Sequence, residues 1–220
     1  MRFSSRQLAF MVGVPAAWGI LLLFHPTGET EGFYEQIEGN VTAWVAVHLG
    51  MGVFVPLFAG VVYLLLRGLD GTAAKVSRTG MAVFAVFYAM WEVLLGGGTG
   101  ILANEVAALP EAQHAIGRDL VESYAESAVL MTLSAIGSVG LAVGMIGAVV
   151  ALRAAYRLGW IPLALMLLSL PLIAIHEPPF GPIGLALFIV AVLVFAWQQA
   201  GAPAPTQASL RRRSSPLASP

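Results

Sequence analysis

Six apolar stretches, each long enough or nearly long enough to cross a lipid bilayer as an α-helix, dominate this chain and leave it few folds. They lie at about 7–25, 42–66, 79–100, 127–152, 159–176 and 182–199. A bilayer core takes about 20 apolar residues of helix. Between the ends of these stretches the only Asp, Glu, Lys, Arg or His residues are His48 and Glu92, while His25 and His176 close the first and the fifth. The polar/apolar alternation of a membrane β-barrel is missing. Composition agrees, with 58% hydrophobic and 10% charged residues, against about 25% charged in a typical soluble domain. The sequence therefore predicts an all-α, polytopic integral membrane protein: one bundle of six transmembrane helices over 1–200. A disordered tail rich in Pro, Ala and Ser follows at 201–220. The first stretch follows a short basic segment, as in a signal peptide, but it is long for one and has no A-x-A cleavage site, so it reads as a retained anchor.

Six spans alternate sides, which assigns every loop to one of two faces. The face with both termini carries ten basic residues, among them Arg67, Lys75, Arg78, Arg153 and Arg211–Arg213, and a single acid, Asp70. The opposite face carries ten acids, including Glu29, Glu31, Glu35, Glu38 and Glu122, and one base, Arg118. The net charge of −1 is thus +9 on one side, −9 on the other, and Glu92 between them. By the positive-inside rule both termini face the cytoplasm. One Lys beside ten Arg suggests a GC-rich bacterial genome, and hence the bacterial inner membrane.

Several function classes drop out at this point. With no Cys there is no disulfide, thiolate metal site or Cys nucleophile. No P-loop, no GxGxxG after a strand and no HExxH occurs, and no broad basic surface suits nucleic acid. The bilayer itself is the expected partner.

Gly137, Gly140, Gly144 and Gly147 recur along the fourth span, followed by Ala148 and Ala151. Small residues at this spacing let helices approach closely in lipid, either inside one bundle or against a membrane-protein partner or second copy. Pro56, Pro162 and Pro171 fall inside spans, where each removes a backbone hydrogen bond and favours a kink.

The residues able to carry chemistry gather on the outer half. A carboxylate inside a span is costly unless paired or facing water, so Glu92 is expected in the bundle interior. By rise along the helix, Glu92, His48 and Ser134 fall at one depth, roughly 10–12 Å below the outer boundary. They are expected to form an outward-opening pocket together with Trp44 and Tyr88, with His25, His176, Glu177 and Glu126 at its mouth. Tyr88 lies one turn before Glu92 and Gly96 one turn after it. His114 belongs to an amphipathic stretch, 110–126, in which Arg118 and Glu122 are spaced to pair at i, i+4.

Three readings stay open on the sequence. The first is binding or transport of a small solute, a cation or a proton in that pocket. The second is a non-catalytic membrane subunit or scaffold. The third is a metal- or haem-binding membrane enzyme with His25, His48, His176 and Glu92 as candidate ligands. No enzyme motif singles out a catalytic residue, and the histidine spacing by itself assigns no cofactor.

Overall fold

Helix formation starts at a capping box. The Ser4 hydroxyl accepts the Gln7 N–H at 3.2 Å, and the Gln7 side-chain oxygen accepts the Ser4 N–H at 2.9 Å. From there the computed structural model, which describes residues 3–27, 32–156 and 159–201, is all-helical, with no strand among the described residues. The elements are α1 (Ser5–Leu22), α2 (Phe33–Glu38), α3 (Val41–Leu65), α4 (Thr72–Ala107), a 3-10 turn (Glu111–Gln113), α5 (His114–Ala125), α6 (Ala128–Ala155), α7 (Trp160–Ile175) and α8 (Phe180–Gly201). The tail expected at 201–220 lies outside the described residues beyond Gly201.

Five segments, holding α1, α3, α4, α6 and α8, are long and apolar enough to cross a membrane. The fifth expected span is also an apolar helix, α7, but it has only 16 residues and covers about 24 Å. The six long helices close a ring in which α1 packs on α3, α3 on α4, α4 on α6, α6 on α7, α7 on α8, and α8 back on α1. The ring's core is aromatic at its centre, with the Trp18 and Phe58 rings 5.5 Å apart and Phe58 and Phe188 4.7 Å apart. Ile20, Val53, Val86, Val139, Leu168 and Trp197 point outward and are exposed. A helix apolar on all sides needs an apolar surround, and lipid suits such a surface.

The structure moves several expected boundaries. α4 covers 36 residues, not the 22 of the expected span, and is about 54 Å long, well beyond a bilayer core. Lys75 and Arg78 do not end it, because long cationic side chains reach past a helix end. Arg78 Nη2 donates to the carbonyls of Leu66 and Leu69, each at 2.8 Å, and so holds the α3–α4 turn in which Gly68 adopts φ +77°. α2 was not expected at all. It packs with α4 and α5 as a cap on one end of the bundle, burying Tyr34 and Ile37 against Ala103, Val106 and Val121. Within this cap Arg118 pairs with Glu35 at 3.2 Å and not with Glu122, whose carboxylate instead accepts the Tyr34 N–H at 2.8 Å. A tertiary partner has displaced the i, i+4 one.

Pro162 does not interrupt α7, since it sits in the first turn, where its missing N–H would have no partner in any case. Pro56 and Pro171 are inside helices, as is Pro15 in α1.

The glycine ridge faces α4. A Cβ on Gly140 would sit 2.7 Å from the Phe84 nitrogen and 2.9 Å from the Gly80 carbonyl oxygen, and one on Gly147 would sit 3.0 Å from the Ser77 nitrogen. Ser77 adds a hydrogen bond across the contact, from Oγ to the Gly144 carbonyl at 2.6 Å. Gly140→Ala is therefore expected to force the helices apart and to lower stability by about 1–3 kcal/mol. A thermal melt in detergent reads this out. Gly13→Ala, where nothing lies within 4 Å, is the control and should not lower the midpoint.

Candidate metal centre

His25 follows the end of α1 and is buried by the ring closing over it. Its Nδ1 is 2.9 Å from the Pro26 carbonyl oxygen. A carbonyl only accepts, so Nδ1 carries the proton and donates, leaving the lone pair on Nε2. His48 lies two turns into α3 and repeats the arrangement, with Nδ1 donating to the Trp44 carbonyl at 2.8 Å. In both residues the buried Nε2 has no hydrogen-bond partner.

His176 caps the C-terminus of α7 with φ +48°, a left-handed conformation uncommon for non-glycine residues. The start of α8 lies directly on its backbone, where a Cβ at Gly181 would collide with the His176 carbonyl. Its Nδ1 is 3.3 Å from the Tyr88 hydroxyl, which donates to the Ala174 carbonyl at 3.3 Å and can accept the Nδ1 proton in turn. All three imidazoles thus have an oxygen partner at Nδ1. This is how metal-binding histidines are commonly oriented.

The three rings converge. Centroids of His25 and His48 are 5.1 Å apart, those of His25 and His176 5.4 Å, and those of His48 and His176 6.5 Å. One ring nitrogen from each residue lies within 4.8 Å of the other two. A point about 2.8 Å or less from all three therefore exists, and bonds of 2.0–2.1 Å need less than an ångström of closure. Exposure of the three is 4%, 1% and 8%. Burial lowers the pKa of His25 and His176, which both lie just beyond helix ends. For His25 the Pro26 carbonyl and Glu177 pull the other way. Neutral imidazole is the form that binds metal.

Glu92 stands beside the triangle on α4. It is fully buried, neither carboxylate oxygen has a hydrogen bond, and Oε2 is 3.9 Å from His48 Nε2. Gly96, one turn on, admits the His48 side chain, because a Cβ there would coincide with it. Trp44 lies 4.1 Å from the His48 ring and 5.3 Å from that of His25, with its indole N–H donating to Thr99 Oγ1 at 3.0 Å. Trp91 walls the His176 side at 6.0 Å.

The expected pocket is thus rearranged. His48, Glu92, Trp44 and Tyr88 come together, while His25 and His176 belong to the centre and not to the mouth. Glu177 is exposed just outside, and its charge reaches His25. Glu126 is exposed at the end of α5, and no hydrogen bond or ion pair ties it to the cluster. Ser134 is half-buried on α6, and no hydrogen bond links it to the cluster. His114 lies apart, with its Nε2 on the Leu109 carbonyl. Sequence patterns do not reveal Trp91, Thr99 or Gln36, whose Nε2 donates to the same Pro26 carbonyl that orients His25. Comparison of the chain with protein-family models, curated proteins and solved structures finds no match.

Proposed function

We propose that this chain is a six-span protein of the bacterial inner membrane, with both termini cytoplasmic, that binds one first-row transition-metal ion in its outer half through His25, His48 and His176. The observation that carries the reading is the buried triangle of imidazole nitrogens, with the Nε2 of His25 and of His48 left unpartnered. Buried polar atoms ordinarily have partners, so two orphaned nitrogens within one three-histidine cluster call for one. The donors suit zinc, iron, nickel or copper, which imidazole favours, and not magnesium or calcium. A single ion fits better than a haem or an organic solute. A porphyrin needs a flat slot between two axial ligands, and here the third imidazole and Trp44 fill that space. The topology rests on the segregation of charge, ten basic residues on one face and ten acids on the other.

The ion would tie the ends of α1 and α7 to the middle of α3. The detergent-purified full chain, stripped with chelator and reloaded with zinc, should hold one ion per chain by elemental analysis. Its thermal midpoint should rise with zinc concentration, since binding to the folded state alone adds about 2.7 kcal/mol at a hundredfold excess over Kd. Wild type with no more metal than a His25→Ala, His48→Ala, His176→Ala triple variant would overturn the proposal.

A further inference from the structure

Resting on the three-histidine reading, we infer that Glu92 is the fourth, anionic ligand, making an N3O centre that selects a divalent, four-coordinate ion, zinc first. Two desolvation problems meet here. A divalent ion held by three neutral imidazoles keeps its full charge in a buried site, which is strongly unfavourable without an opposite charge. Glu92 is a fully buried carboxylate whose two oxygens have no hydrogen-bond partner. Each supplies what the other lacks.

Donors around a tetrahedral ion with bonds of 2.0–2.1 Å stand about 3.3 Å apart. Glu92 Oε2 is 3.9 Å from His48 Nε2, about half an ångström beyond that spacing, but it is not among the ligand atoms that lie within 4.8 Å of one another, so reaching a common ion takes a turn of the Glu92 side chain toward His25 and His176. The helix is built for the role along one face. Tyr88, Glu92 and Gly96 fall at i, i+4 and i+8 on α4, where Tyr88 contacts His176, Glu92 approaches His48, and Gly96 makes room for the His48 ring. The hard carboxylate oxygen beside three nitrogens also disfavours Cu(I), which prefers sulfur.

Cobalt(II) reports coordination directly through its visible d–d bands. The chelator-stripped full chain in detergent is titrated with Co2+ alone, wild type beside Glu92→Gln and Glu92→Asp, with a thermal melt of each. Wild type is expected to show the intense bands of four-coordinate cobalt. In Glu92→Gln the bands should shift and weaken, and the Kd should rise at least about tenfold. Glu92→Asp keeps the charge and should fall between the two, which preserves the test if the Gln variant fails to fold. Wild type that binds cobalt while both variants match its bands and Kd would overturn the Glu92 assignment alone. Wild type that binds no cobalt would overturn the three-histidine site together with it.

Discussion

His48→Ala should purify as a folded helical protein holding almost no metal, with zinc affinity at least about a hundredfold below wild type. Loss of an outer-shell partner alone costs about 10–100-fold, and loss of a ligand costs more. The effect is expected to be larger here than at His25 or His176. Of the three, His48 is the one rooted within a helix, it contacts both other imidazoles and Trp44, and it is the one nearest Glu92. Truncation also removes the imidazole nitrogen that stands 3.9 Å from the Glu92 carboxylate. Elemental analysis after dialysis against a zinc buffer measures the loss. Far-ultraviolet circular dichroism on the same sample separates it from unfolding, and a variant that keeps one zinc per chain would refute the expectation.

Gly96→Ala should remove metal about as completely while leaving every ligand in the chain. The new methyl falls on the His48 side chain, between two helices packed face to face. Neither backbone can yield cheaply in a close-packed interior, so the ring must turn away from the triangle. Overpacking of this kind costs about 1–3 kcal/mol in stability. The diagnostic quantity is metal content relative to Gly97→Ala. At the neighbouring glycine an added Cβ meets nothing within 4 Å, and one zinc per chain is expected to remain. Equal metal in both proteins would show that Gly96 does not seat His48. Since the substitution removes no donor atom, loss of zinc would demonstrate that ring position, and not donor inventory, sets affinity.

The two residues inside spans, Glu92 and His48, stood out in the sequence because an ionisable side chain among apolar neighbours needs a reason to be there. Their neighbours Tyr88, Trp44 and Gly96 followed from helical period. The sequence places His25 and His176 at the mouth, because a position at a helix end says nothing about whether the chain then turns inward. His176 turns in through a left-handed residue with Gly181 laid against it, and α1 ends three residues before His25. The six-residue α2 left no periodic signal long enough to read against its acidic neighbours.

What the sequence determined by itself was depth. Apolar run length gives position along a helix axis at 1.5 Å per residue, and charge at the loops gives the sign expected for each face. Both are one-dimensional properties, and the all-helical architecture with its apolar segments follows from them. Only the tertiary structure decided azimuth and neighbour order. Depth alone groups Ser134 with Glu92 and His48, yet its helix packs through Gly137–Gly147 on α4, and α4 stands between α3 and α6 in the ring. His25, at the end of a different helix, takes the place beside His48. Which helices touch is set by the fit of glycine against backbone and ring against ring, between residues far apart in the chain, and that fit converts scattered histidines into one site.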